Sequence, residues 1–450
     1  MVWLLVALLR KEGVSAKRWA VSAESLRQLS PAATSTSELV WRYLHFSQFV
    51  LIRGPVLSLQ NIRKPIVNPE AFKNSPSGHV RRVQTGYYAF FPNPLPPTLD
   101  WSASLVQALS RADRALGELA GLTNAMPNPY LLVRPFIRRE AVLSSRIEGT
   151  RASLSDIYTF EAVQLALFEP DPDVQEVYNY VRALDYGLQR LQTLPVSLRL
   201  IRELHERLLT GVRGQAWTPG EFRRSQNWIG PTGSTLETAV FTPPPAVDMH
   251  SALDQLERFI HAPTDLPPLI RLALIHYQFE AIHPFLDGNG RIGRLLLVLL
   301  LSEWQLLPQP LLYLSGYFEQ QRQAYYDHLL AISQQGAWEA WIVFFLQGVT
   351  SQTIDGGQRI RRVQALREKY RQEVARRTQA TGVGQVVDFL FVHPVLTVNQ
   401  VAQELGVSYT VANRRVTWLV NQGWLQEITG QARNRVYRAG AILAAIDAPL

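Results

Sequence analysis

At 450 residues the chain exceeds what one hydrophobic core usually supports, so two or three folding units are expected. Its 47% hydrophobic and 18% charged content is ordinary globular composition and excludes a mainly disordered chain, while a formal net charge of +8 favours acidic partners such as nucleic acid or nucleotide. The absence of cysteine excludes disulfides, thiolate zinc sites and thiol nucleophiles, fits a reducing cytoplasm, and leaves oxygen or imidazole to bind any metal.

In chain order, Val2 to Leu9 is apolar but has no preceding basic segment and ends at Arg10-Lys11, so no signal peptide is read there. No other stretch approaches the roughly 20 apolar residues of a spanning helix. A soluble, cytoplasmic protein with no membrane partner is expected. Residues 1–75 keep neither a helical nor a strand period. They are either an extension of unknown role or sequence upstream of the true start, a non-Met start near Val67 being compatible because no Met lies between Met1 and Met126.

From Tyr87, Pro92-Asn93-Pro94-Leu95-Pro96-Pro97 sets an extended entry into a helical pattern over Leu105 to Leu122. Helical periods recur at 135–147, 173–192, 196–212, 247–261, 266–281, 290–305, 319–333 and 336–350, joined by loops rich in Pro and Gly. The fold class is therefore mainly α, with helical regions over 76–195 and 196–350. Thr238-Ala239-Val240-Phe241-Thr242 favours a strand that Pro243-Pro244-Pro245 stops, which predicts a short β-hairpin. Gln358 to Arg377 carries eight basic residues against two Glu and reads as a solvated linking helix within 351–382.

The stretch richest in chemistry is His283-Pro284-Phe285-Leu286-Asp287-Gly288-Asn289-Gly290-Arg291-Ile292-Gly293-Arg294, followed by the apolar Leu295 to Leu301. The glycines let the backbone turn and approach a ligand, and the helix that follows points free N–H groups and a positive dipole end at it. Arg291 and Arg294, three apart, suit phosphate oxygens, and Asp287 is a hard oxygen ligand for Mg2+ bridging phosphates. A neutral His283 imidazole could take a proton from an attacking hydroxyl. Neither this loop nor Gly230 to Thr235 has the spacing and Lys of a P-loop, so an ordinary NTPase reading fails.

These twelve residues match the signature HPFx[DE]GNGRxxR, and the chain thereby resembles the Fic family of protein adenylyltransferases. The resemblance covers roughly Tyr87 to Val349, taking in Pro94-Leu95-Pro96-Pro97, Ala115-Leu116-Gly117, Asn128-Pro129, Gly220-Glu221-Phe222-Arg223 and Tyr325-Tyr326. It implies a Fic-associated helical region over 76–195 and a Fic core over 196–350, with ATP as substrate and Mg2+ as its ion. It further implies that Gly288, Asn289, Gly290, Arg291, Ile292, Gly293 and Arg294 hold the phosphates, with Tyr326 lining the nucleotide pocket. His283 would be the catalytic base, Asp287 the metal residue and Phe285 the anchor of the loop. Thr238, Ala239, Val240, Phe241 and Thr242 would be a flap that pairs with a segment of the target protein bearing a Ser, Thr or Tyr hydroxyl. Ser144-Ser145-Arg146-Ile147-Glu148-Gly149 matches the family's inhibitory [ST]xxxE[GN] motif. Ser144 and Glu148 share a helix face, and Gly149 suits the helix end.

Val386 to Tyr437 reads as helix, helix, helix and hairpin within a unit over 383–450, and resembles a winged helix-turn-helix. Val398 to Leu405 and Tyr409 to Gln422 are joined by Gly406-Val407-Ser408, with Ser408 as cap, and Trp424 to Tyr437 forms a two-stranded wing turning at Gly430. Asn413, Arg414, Arg415, Arg433 and Arg435 are the candidate contacts to duplex DNA. A DNA-binding regulator with a nucleotide-sensing Fic domain, or a Fic enzyme that removes AMP or transfers another phosphate-containing group, stays open as an alternative, as do self-modification and a homo-oligomer.

Overall fold

The computed structural model describes residues 68–448 apart from 125, 127–129, 164–170, 232 and 378–381. The expectations for residues 1–67, and for Asn128-Pro129, fall outside them. A hairpin of β1 (Gly78–Arg82) and β2 (Tyr88–Pro92) opens the described chain, antiparallel with Val80 opposite Phe90. It was not anticipated, because β1 shows little apolar alternation and its burial comes from the far strand, where Ala89 and Phe90 are fully buried.

Helices follow: α1 (Ala103–Asn124), α2 (Tyr130–Ile147), α3 (Leu154–Val163), α4 (Pro172–Arg190), α5 (Leu198–Leu209), α6 (Ala246–His261), α7 (Pro268–Ile282), α8 (Asn289–Glu303), α9 (Ser315–Gln320), α10 (Arg322–Gln335) and α11 (Trp338–Ala375). α7 and α8 are apolar on nearly every face, which is tolerable only for helices enclosed by others. α2, α4 and α5 pack on α8, and α6, α10 and α11 pack on α7. Trp341 Nε1 donates to the Ala273 carbonyl (2.9 Å) and Tyr277 Oη meets Ser333 Oγ (2.9 Å), tying α11 and α10 to α7 inside the core.

α11 runs unbroken past residue 350, where the sequence periods place the end of the core. The segment read as a solvated linking helix is only half so, since Ile360, Val363 and Tyr370 are buried and its arginines flank that stripe. Among the described residues no helix is long and apolar enough to cross a membrane.

The remaining elements are α12 (Val383–Val392), β3 (Val395–Thr397), α13 (Val398–Glu404), α14 (Tyr409–Asn421), β4 (Gln426–Glu427), β5 (Val436–Arg438) and α15 (Gly440–Asp447). A reciprocal cap between Thr397 and Gln400 starts α13, and Ser408 Oγ accepts the Val411 N–H (3.4 Å) to start α14. The sheet has three strands in the order β3-β5-β4, not two, because β3 pairs with β5 through Leu396 opposite Tyr437. This unit packs on α11 and α2: Trp424 stacks on Tyr370 at 3.9 Å, and Arg359 donates to the carbonyls of Ile446 (2.7 Å) and Ala448 (2.9 Å).

Candidate active site

His283 caps α7 in the left-handed conformation (φ 49°, ψ 62°), which for a residue with a side chain costs on the order of 1–3 kcal/mol and persists only when its surroundings fix it. They do so on several sides. Its N–H donates to Phe279 O (3.0 Å), its carbonyl accepts from Arg223 Nε (2.9 Å) and Asn227 Nδ2 (3.1 Å), and its ring Nδ1 lies 3.2 Å from the Glu280 carbonyl. A carbonyl can only accept, so Nδ1 carries the proton and Nε2 has a free lone pair. Burial lowers the imidazole to about 4, with the Arg223 charge acting the same way, so the ring is neutral at physiological pH.

The loop after it is folded by its own side chains. Asn289 Oδ1 accepts the Phe285 N–H and Asn289 Nδ2 donates to the Phe285 carbonyl, both at 2.8 Å. The Asn289 side chain is thereby committed to the loop and leaves only its backbone N–H for an anion. Phe285 is fully buried and stacks on His205 at 3.7 Å and 8°. His205 Nδ1 accepts the Gly220 N–H (2.9 Å), which leaves Nε2–H to hold the Asp287 carbonyl (3.0 Å). Gly288, with φ 80°, begins α8 as only a residue free of a side chain does easily.

The first N–H groups of α8 have no acceptor within the helix, so Asn289, Gly290 and Arg291 present the positive cradle. Beside it in this structure lies the protein's own carboxylate. Glu148, just past the end of α2, places Oε1 2.7 Å from Arg294 Nη2, and a Cβ on Gly290 would collide with that same oxygen. Ser144 supplies Oγ to Arg294 Nε (2.9 Å) and its carbonyl to Nη2 (3.0 Å), and Gly149 leaves the helix with φ 102°. Burial raises the Glu148 carboxyl, but the Arg294 guanidinium outweighs it and holds the group below the usual carboxylate range.

Other predicted phosphate residues face elsewhere. Arg291 is 2% exposed and pairs with Glu176 at 3.2 Å, which in turn holds Arg213 at 3.3 Å, so the two arginines of the motif do not offer one joint surface. Ile292 is fully buried, and its N–H is spent on the Gly288 carbonyl (3.0 Å). Gly293 turns from the cradle toward α7, where a Cβ would strike Glu280 Oε1. Tyr326 is 38% exposed, leans on Tyr325 at 5.3 Å, and feels the charges of Glu148 and Arg294.

Asp287 accepts the Gly288 N–H (2.6 Å), lies 3.6 Å from Arg291 and is 35% exposed. Among the described residues no three acidic or histidine side chains gather to hold a metal. One partly exposed carboxylate fits a cation that arrives with phosphates and keeps most of its water, not a resident ion.

The predicted flap is not a hairpin of strands. A single bridge joins Ile229 and Phe241, and Thr242 gives its carbonyl to the Phe90 N–H (2.8 Å), after which three prolines supply no donor to extend a ladder. Ala239, Phe241 and Thr242 are buried, whereas Val240 is 45% exposed. In the C-terminal unit Arg414, Arg433 and Arg435 are exposed, but Arg415 is not the free contact expected. It lies against Gly382, with Nε and Nη1 buried and unpartnered among the described residues.

Two regions of the chain match known families. A family model described as Fic/DOC family N-terminal matches residues 106–189, and one described as Fic/DOC family matches 195–301. The chain therefore contains a Fic/DOC family N-terminal region and a Fic/DOC family region. The protein adenylyltransferase Fic of Drosophila melanogaster is 29% identical over 216 residues, covering 46% of this chain and 39% of that protein, and that of Drosophila yakuba gives the same figures. The chain thus spans about two fifths of the length of these curated relatives. A crystal structure of a Fic family protein from Desulfovibrio desulfuricans shares the fold at a TM-score of 0.50 and 20% identity, over 77% of this chain and 98% of that one. The loop from His283 to Arg294 lies in the region matched as Fic/DOC family, and Ser144 and Glu148 lie in the region matched as its N-terminal part.

Four residues that hold this Fic site were not picked out from sequence as site residues: His205, Arg223, Asn227 and Glu280. Glu280 is the least comfortable. Oε1 is buried without a partner among the described residues, and Oε2 is 4.0 Å from His283 Nδ1. Burial raises its carboxyl from the ordinary 4.5 to about 8, Arg294 opposing and Glu148 reinforcing. The folded state thus keeps a proton that the unfolded chain has lost, and stability should fall as pH rises from about 4.5 to 8. Glu280→Gln should remove on the order of 3 kcal/mol of that fall between pH 4 and pH 7, read from urea unfolding at the two pH values. An unchanged pH dependence would show that Glu280 is ionised in the folded protein.

Proposed function

We propose that this chain is a protein adenylyltransferase, which transfers AMP from ATP to a hydroxyl on a target protein or on itself, and that Glu148 holds it in check. The observation that carries the reading is His283, a neutral imidazole with Nε2 free, fixed one short loop ahead of a helix start built to receive an anion. ATP would lay its phosphates on the N–H groups of Asn289, Gly290 and Arg291. The hydroxyl oxygen bonds to the α-phosphorus as its proton passes to His283 Nε2, the α–β bridging P–O bond breaks, and pyrophosphate leaves. Fixed N–H groups aimed at developing charge need no reorganisation during that step. Asp287 would hold Mg2+, which offsets phosphate charge when bound. The curated relatives named protein adenylyltransferase support the reaction class.

The segment Thr238 to Thr242 would receive an extended stretch of the target, its open side marked by Val240. Label carried on the α-phosphate of ATP should become attached to protein, while label on the γ-phosphate should not. Attachment of γ label would overturn the reading, and release of AMP from a modified protein without transfer would favour the reverse reaction.

A second activity rests on the C-terminal unit, which we read as a winged helix-turn-helix that contacts duplex DNA. The exposed Arg414 on α14, with Arg433 and Arg435 between β4 and β5, motivates it. Binding of labelled duplex should weaken as salt rises and weaken further with Arg414→Ala plus Arg433→Ala, since each phosphate contact releases counterions. No binding at low salt would make the unit a protein-contact module.

A further inference from the structure

Arg223 is buried to 1% of its surface, yet no carboxylate is among its hydrogen-bond partners in the described residues. Its guanidinium donates to main-chain carbonyls: Nε to His283 (2.9 Å), Nη1 to Ser225 (3.3 Å), and Nη2 to Pro244 (2.5 Å) and Ile282 (3.4 Å). Its own N–H donates to the Pro284 carbonyl at 2.9 Å. Three of these acceptors, on Ile282, His283 and Pro284, are consecutive residues at the end of α7. Two others, on Ser225 and Pro244, bracket the flap.

A buried charge without a counterion is expensive, and burial lowers this guanidinium to about 10. The negative end of α7 offsets part of that cost, because helix carbonyls left without donors attract a cation. A planar fork reaches several carbonyls at fixed angles, which an ammonium on a flexible stem cannot do. Asn227 reinforces the same point by donating to the carbonyls of both His283 (3.1 Å) and Phe285 (2.7 Å).

We infer that Arg223, aided by Asn227, is the positioning residue of the catalytic base, holding the left-handed turn that aims the His283 imidazole and tying that turn to the flap on which the target docks. The inference rests on the reading of His283 as base. It also has a consequence that does not depend on AMP transfer. The charged or titratable groups acting on the imidazole are Arg223, Glu280, Glu148 and Asp287, and of these Arg223 disfavours protonation. Losing its charge should raise the titration midpoint of the ring.

The test compares Arg223→Gln, Arg223→Lys and Asn227→Ala in the full chain, reading the His283 ring by carbon-13 histidine NMR across pH and AMP transfer at varied ATP. His283→Ala assigns the resonance among nine histidines. Arg223→Gln should raise the midpoint. Arg223→Lys keeps the charge and should leave it nearly in place, yet lose about 10²-fold in kcat with KM for ATP unchanged, as misaimed reacting groups do. Asn227→Ala should show a smaller kcat loss of the same kind. A wild-type kcat in Arg223→Lys, an unmoved midpoint in folded Arg223→Gln, or a kcat loss matched by a rise in KM would each overturn the inference. Should the chain transfer no AMP even with Glu148→Gly, the base assignment fails, and the NMR midpoints still decide whether Arg223 governs the ring.

Discussion

Replacing Glu148 with glycine should raise AMP transfer by on the order of 10²-fold, since misplacement of reacting groups by about 1 Å costs that much. The carboxylate occupies what the nucleotide needs. It lies 2.7 Å from Arg294 Nη2 and against Gly290, in the first turn of α8, where a triphosphate would seek the helix N–H groups and the same guanidinium. Two like charges about 4 Å apart oppose each other by roughly 4 kcal/mol at the effective dielectric of a partly exposed site. ATP that binds beside Glu148 must keep its terminal phosphate away from Arg294, which turns the α-phosphorus out of line with the incoming hydroxyl. Ser144 leaves Arg294 held in place after the substitution, so a preformed phosphate contact is released and not lost.

Glu148→Gln, which keeps the shape and removes the charge, should also activate, though less. Because Arg294 holds the Glu148 carboxyl below the usual range, mild acid should not mimic either substitution. Initial rates with labelled ATP, alongside calorimetric ATP binding, decide the matter. Two variants that bind ATP yet transfer AMP no faster than wild type would reduce Glu148 to a helix-end residue.

Replacing His283 with alanine should cost about 10²–10⁴-fold in transfer, the usual contribution of a general base, with ATP binding retained. The imidazole carries the proton transfer but makes none of the cradle's contacts. The pH dependence has a definite sign. The base works unprotonated, and burial holds its pKa at about 4, so the rate should stay level from neutral pH down to about 5 and fall below that. A fall centred near the ordinary value of 6.5 would mean the ring is solvated in the working enzyme. Undiminished transfer by His283→Ala would end its assignment as base.

The parts of the site legible in the sequence are those made by neighbours in the chain. Gly288 takes a backbone conformation that favours glycine, and Ser144 and Glu148 lie close in the chain with Glu148 just past the end of α2, whereas Asn289, expected on the phosphates, spends its side chain on Phe285. The pairing of Glu148 with Arg294 spans 146 positions, beyond the reach of any local pattern. What escaped is held by contacts of similar reach without such a pattern. Arg223 finds His283 at a separation of 60, His205 finds Asp287 at 82, and Glu176 finds Arg291 at 115.

The flap misled because β-propensity at Thr238 to Thr242 needs a partner strand, and only Ile229 and Phe90 offer backbone there. The long helix α11 misled in the opposite sense. Its six basic residues hid a buried stripe of Ile360, Val363 and Tyr370, on which the C-terminal unit rests.

The most direct measurement is the intact mass of Glu148→Gly after incubation with ATP and Mg2+, beside the same chain carrying His283→Ala as well. The account predicts added mass equal to one or more AMP groups on the single variant and none on the double variant. An unchanged mass on the single variant, with no label passing from the α-phosphate of ATP to any other protein, would contradict it.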